Sequence, residues 1–237
     1  MNIADYIIIG ILAISVIYGL YRGFLRTVLN LLCLLVALTL AFTFSGRLAE
    51  LIRSNEQVSM TLATYTDSVA RVGDYDLAQT EVSQDLPQQV IQTVLDSVSL
   101  PGPIASILRK NLESASFSGT RLTTVNDYVQ NTVVASAISV LSFILCFIAA
   151  YAVLSILMSL IYHIFKFPVL RVMDSLAGGA FGLVRALLLL YLLFLLVPIL
   201  STVIPIDTFN EVINQSKLAP LFTSDGFFAG VIRGKLF

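Results

Sequence analysis

Long apolar runs alternate along the chain with one extended polar stretch. A helix needs about 18 or more residues with few charges to cross a bilayer. Four runs meet that requirement. They are Ile7 to Tyr21, extending back toward Ile3; Phe24 to Phe44, carrying Arg26 and Asn30 near its start; Val133 to Phe165; and Leu176 to Ile204, with Arg185 inside it. The third is longer than a bilayer requires, so its first turns are expected to project into water. Lys166-Phe167-Pro168 is expected to end it, because proline donates nothing to the helical ladder and restrains the residue before it. Pro198 is expected to loosen the fourth run and Pro205 to end it.

The polar stretch between the second and third runs is long enough for a small domain. Apolar residues recur at helical spacing in Val90, Val94, Leu95 and Val98, and again in Ile104, Ile107, Leu108 and Leu112. Pro101-Gly102-Pro103 separates the two short helices these predict. Thr124-x-x-Asp127 has the form of a capping box opening the helix that becomes the third span. No strand-like alternation is present. The pattern predicts an all-α polytopic membrane protein with four transmembrane helices. It divides into a hairpin over 1–44, a helical extracytoplasmic domain over 45–131, a second hairpin over 132–205 and a tail over 206–237. The tail ends in Gly226-Phe227-Phe228-Ala229-Gly230-Val231-Ile232-Arg233, which fits either an interfacial helix or a packed terminus.

Composition strengthens the membrane reading. Hydrophobic residues make up 57% of 237 and charged residues only 12%, against about 45–50% and about 25% in soluble domains. The net charge of −1 leaves no overall basic footprint for nucleic acid. Cys33 and Cys146 lie in apolar runs without a CxxC, and His163 is the one histidine, so neither a metal site nor a cofactor is expected. The first apolar run has no basic residue before it and no Ala-x-Ala after it, so it reads as a retained span rather than a cleaved signal.

Basic residues in short loops favour the cytoplasm. Arg22, Gly23 and Arg26 mark the first connection, and Lys166 with Arg171 marks the connection between the third and fourth spans. These serve as topology anchors on one side. The amino terminus, the 45–131 region and the tail then lie outside, and in that region acids outnumber bases.

One constellation carries chemical content. At about 100° per residue, Arg171, Asp174, Gly178, Gly182 and Arg185 fall within roughly 40° of one line on the fourth span. Gly178-x-x-x-Gly182 permits close approach of another helix. Asp174 stands about 16 Å from Arg185 along the axis, too far for a direct pair. Asn30, backbone carbonyls or lipid phosphate are the candidate partners of Arg185. The stripe is either the wall of a polar site or oligomer contact, or a packing seam ended by a snorkelling anchor. Ser159 and His163 share a helix face, but no orienting third residue accompanies them, and no catalytic residue is expected.

Asp5-Tyr-Ile-Ile-Ile, Tyr21-Arg22-Gly23-Phe24, Leu31-Leu32-Cys33-Leu34 and the segment Arg171 to Arg185 resemble the colicin V production protein family. The Asp-x3-Gly-x3-Gly-x2-Arg spacing over 174–185 is the most specific part of that resemblance. It implies a multi-pass protein of the bacterial cytoplasmic membrane, without an enzymatic reaction. It further implies a role in toxin production or export and in envelope maintenance. The expected partners are the lipid bilayer and other membrane proteins or a second copy of the chain. The alternative is a subunit of an oligomeric transporter or channel lined by Arg171, Asp174 and Arg185.

Overall fold

Local sequence sets where each helix starts and stops. In the computed structural model, which describes residues 2–70, 72–83, 86–98, 100–117, 122–164, 171–203, 207–223 and 231–232, the first helix, α1 (Ile3–Arg22), opens on a capping box. Asn2 Oδ1 accepts from the Ile3 N–H at 2.6 Å, and the Asn2 N–H donates to Asp5 Oδ2 at 2.9 Å. The helix stops at Gly23, whose φ of +81° is strained for any residue with a Cβ. That single residue turns the chain into α2 (Phe24–Arg53), where the Thr27 hydroxyl donates back to the Gly23 carbonyl at 2.7 Å.

The remaining helices are α3 (Glu56–Ala70), α4 (Tyr75–Gln79), α5 (Gln88–Ser97), α6 (Gly102–Glu113), α7 (Val125–Ile164), α8 (Arg171–Phe194), α9 (Val197–Val203) and α10 (Asp207–Asn214), with a 3₁₀ turn at Ala219–Leu221. Among the described residues no strand forms, and an isolated antiparallel bridge joins Glu81 to Thr124. The protein is all-α. Four stretches, Ile3–Arg22, Phe24–Arg53, Val125–Leu160 and Asp174–Ser201, are long and apolar enough to cross a membrane, the fourth made of α8 and the start of α9. Large apolar side chains stay exposed along all four: Ile14 and Ile17, Leu32 and Val36, Ile156 and Leu160, Leu183 and Leu193. Hydrocarbon is the environment in which such surface costs nothing.

Two expectations about these helices change. The second run was expected to close at Phe44, but α2 continues to Arg53 through Gly-Arg-Leu-Ala-Glu-Leu-Ile, whose Leu, Ala and Glu are good helix formers. The fourth run is broken rather than loosened. The α8 helix ends at Phe194 and α9 starts at Val197, because Pro198 lacks an N–H and its ring crowds the carbonyl four residues back. Lys166-Phe167-Pro168, Pro205 and Gly226 to Gly230 lie outside the described residues, as does Arg233.

The chain divides into two compact units. One comprises Met1–Ser45, Phe143–Leu195 and Thr208–Thr223; the other comprises Gly46–Ser142, Leu196–Asp207 and Ser224–Phe237. In the second, Ile91 and Val94 of α5, Ile104, Leu108 and Leu112 of α6, and Val125, Tyr128, Val129 and Val133 of α7 form a closed apolar core. Of the periodic positions read in the sequence, Val94, Val98, Ile104, Leu108 and Leu112 are buried, Val90, Leu95 and Ile107 are half-buried, and Ile91 joins the core although the sequence pattern did not mark it. The α7 helix opens on the expected capping box: the Asp127 N–H donates to Thr124 Oγ1 at 3.2 Å, and the Thr124 N–H donates to Asp127 Oδ2 at 3.1 Å. Arg109 Nη2 donates to Gln92 Oε1 at 2.6 Å and ties α6 to α5.

In the first unit, α1 and α8 run antiparallel in extended contact. The α2 and α7 helices meet through Phe42 and Phe143, whose rings lie edge to face at 4.8 Å. Ala37 and Ala41 of α2 are fully buried in this unit.

Candidate functional site

The crossing of α1 and α8 brings the stripe of the fourth span against a second row of small residues. Ser15 and Gly19 on α1 and Gly23 just past its end recur every fourth position, as Asp174, Gly178 and Gly182 do on α8. The two rows interlock. A Cβ on Gly19 would collide with the carbonyl of Gly178, and a Cβ on Gly178 with the carbonyl of Gly19. A Cβ on Gly182 would lie 2.5 Å from the Ser15 carbonyl oxygen. Backbone atoms cannot move aside as flexible side chains do. Lipid tails are as apolar as leucine, so close dispersion contact, and not hydrophobic exclusion, favours such a crossing.

Hydrogen bonds reinforce it. The Ser15 hydroxyl donates to the Gly182 carbonyl at 2.9 Å, and the Ser175 hydroxyl donates to the Leu20 carbonyl at 2.8 Å. At one end of the seam, the Asp174 carboxylate fills the volume that a Gly23 side chain would need. Phe24 and Phe181 close that end with rings edge to face at 5.2 Å.

Arg185 lies beyond the glycines. Its guanidinium carbon is 5.8 Å from the centre of the Tyr18 ring, and its Nη2 reaches the Tyr151 hydroxyl at a long 3.4 Å. Its Nε is enclosed and has no hydrogen-bond partner. Asn30, the side chain expected to meet it, makes no hydrogen bond to it among the described residues; α1 and α7 supply tyrosines instead. The Tyr18 ring also carries Arg22, whose guanidinium carbon lies 4.7 Å from the ring centre.

The structure therefore gathers Asp174, Gly178, Gly182 and Arg185 of the predicted stripe with Gly23 and Arg22 of the first connection. Arg26 is exposed on the first turn of α2. Arg171 opens α8, but its side chain, like that of His163, lies outside the described residues, as does all of Lys166. Ser159 is exposed on α7. No group of three or more His, Cys, Asp or Glu side chains gathers among the described residues.

A second arrangement was not foreseen. Asp5 is fully buried in the first turn of α1. Its Oδ1 accepts from the Ser216 hydroxyl at 2.6 Å and from the Lys217 and Leu218 N–H groups at 3.0 Å each. The Asn2 side chain adds a donor bond to the Val212 carbonyl at 3.0 Å. Beside them Phe222 packs on Tyr191 and Phe194. The segment after α10 is thus fastened to the amino end of α1. An acid inside an apolar run was the available signal, since a buried carboxylate requires several donors.

A family described as colicin V production protein covers residues 4–71 and 114–233. No curated protein and no solved structure matches the chain.

Proposed function

Since the chain belongs to the colicin V production protein family, we propose that it is a non-enzymatic accessory protein of the bacterial cytoplasmic membrane, serving toxin production or export and envelope maintenance. It acts by presenting its helices to partner membrane proteins, or to a second copy of itself, and by displaying the 45–131 region outside the membrane. The carrying observation is the destination of the family-like segments. Asp174 to Arg185 and Tyr21 to Gly23 meet each other across α1 and α8. They build a closely packed helix pair, which supports a role in holding a partner.

The proposed orientation puts Arg22 and Arg26 in the cytoplasm. The amino end of α1 and the segment ending at Thr223 then share the outer face, a reading supported by the bonds from Asp5 to Ser216, Lys217 and Leu218.

The test is complementation of a deletion strain, scored by toxin release and envelope integrity. Arg185→Leu is expected to insert into the membrane at the normal level and to fail to complement. Full complementation by that variant removes the premise that the α1–α8 pair carries the function.

A further inference from the structure

We propose that Arg185, held between Tyr18 and Tyr151, is the docking point for a transmembrane helix of a different protein that carries an aspartate or glutamate near the middle of the bilayer. This deepens the reading of the chain as a holder of partner membrane proteins, and rests on it. Along α8, Arg185 stands about 16 Å from Asp174 and about 14 Å from Phe194. A hydrocarbon core is about 30 Å thick, so the residue sits near its middle, away from water and headgroups. Ionisable side chains at that depth pair with one another or with backbone carbonyls.

No carboxylate of the chain fills this role. The acids of the compact unit that contains Arg185 are Asp5, Asp174 and Glu211. Asp5 takes donors from Asn2, Ser216, Lys217 and Leu218. Asp174 is set against Gly23. Glu211 accepts from the Gln215 side chain at 2.9 Å. None of them pairs with Arg185 among the described residues. A second copy of the chain brings the same acids at the same depths, so the missing charge belongs to another protein.

The guanidinium keeps one edge open for it. Nη2 has the long 3.4 Å contact to the Tyr151 hydroxyl, Nε is enclosed without a partner, and Nη1 is neither bonded nor enclosed. An incoming carboxylate therefore meets the Nη edge, whose two N–H groups match its two oxygens. The surroundings suit a helix. Tyr18 is 39% exposed, and Ile14, one turn away on the same face of α1, is 69% exposed. Ile148, on the Tyr151 face of α7, is 57% exposed. An apolar surface holding one cation is the complement of an apolar helix holding one anion, and the low dielectric strengthens their attraction.

The probe is a polyleucine helix with lysines at both ends and one variable central residue. It is reconstituted in liposomes with the full chain, and association is read by energy transfer between labels on the two. Central glutamate is expected to bind about tenfold more tightly than central glutamine, which keeps hydrogen bonding and lacks the charge. Arg185→Met is expected to abolish that preference. Equal binding of the glutamate and glutamine helices to the unaltered chain overturns the proposal, and this comparison needs no variant to fold. An undiminished preference in Arg185→Met also overturns it. The readout uses no toxin or envelope phenotype. A missing preference therefore overturns the charge pair and leaves the accessory role standing, whereas full complementation by Arg185→Leu overturns that role and leaves a measured preference standing.

Discussion

The carbonyl of Gly178 stands where a side chain on Gly19 would stand, and the carbonyl of Gly19 stands where a side chain on Gly178 would stand. This reciprocity makes the crossing of α1 and α8 depend on two absent methyl groups. Each glycine forgoes about 1 kcal/mol of helix propensity relative to alanine. The close contact of two backbones, with hydroxyl bonds from Ser15 and Ser175, offsets that loss.

Gly19→Ala and Gly178→Ala are each expected to destabilise the protein by about 1–3 kcal/mol, because the atoms in the way are backbone. Gly10→Ala, on the same helix with nothing near its Cβ position, is the control. It is expected to be neutral or stabilising. Thermal unfolding in detergent, followed by far-ultraviolet circular dichroism, measures all three. Equal melting temperatures for Gly10→Ala and Gly19→Ala would show that the crossing does not form.

Asp5 makes a second long-range prediction. Every group that faces its carboxylate is a donor: the Asn2, Lys217 and Leu218 N–H groups and the Ser216 hydroxyl. An amide at this position turns N–H groups toward other donors. Asp5→Asn is expected to free the segment around Ser216 while α1 persists. Trypsin cutting after Lys217 reads the opening directly, and a rate increase on the order of tenfold is expected from losing charge-assisted bonds. Unchanged cutting would mean that the segment is held by Phe222 on Tyr191 and Phe194 alone.

The four apolar helices were legible because their signal is length, which survives any error in register. The capping box at Thr124 and Asp127 was legible because both partners are local. The α3 helix was not. Its threonines satisfy themselves within the helix, Thr61 and Thr64 donating to the Gln57 and Met60 carbonyls at 2.8 and 2.9 Å, and residues with that habit have weak helix propensity. The glycine stripe on α8 was visible as a stripe, yet its partner was not, because the chain offers three other apolar helices. The spacing of Ser15, Gly19 and Gly23 held that answer. Asp5 eluded the reading because its partner is 211 positions away.

At the opening of α7, one side chain holds two backbone donors: Asp127 Oδ2 accepts from the Thr123 and Thr124 N–H groups at 3.2 and 3.1 Å. Asp127→Ala is expected to cost about 1–2 kcal/mol, the usual range for a lost helix cap. The loss is expected as a lower melting temperature in detergent. Asp127→Asn, which keeps one acceptor oxygen, should recover part of it. No difference between the alanine and asparagine variants would locate the stabilisation in the neighbouring bridge between Glu81 and Thr124 instead.

Arg185 separates stability from function. Its Nε is buried without a partner and its one hydrogen bond is long, so the folded protein bears a desolvation cost that the Tyr18 contact offsets only in part. Replacing an under-satisfied buried charge with an apolar residue of similar length is often neutral or stabilising by about 1–3 kcal/mol. Arg185→Met is therefore expected to melt in detergent at the same temperature as the parent or above it, and yet to fail in complementation. A residue whose removal helps folding and harms activity is retained for what it contacts outside the fold. A lower melting temperature for Arg185→Met, with complementation lost in proportion, would instead make the arginine a structural strut between α1 and α7.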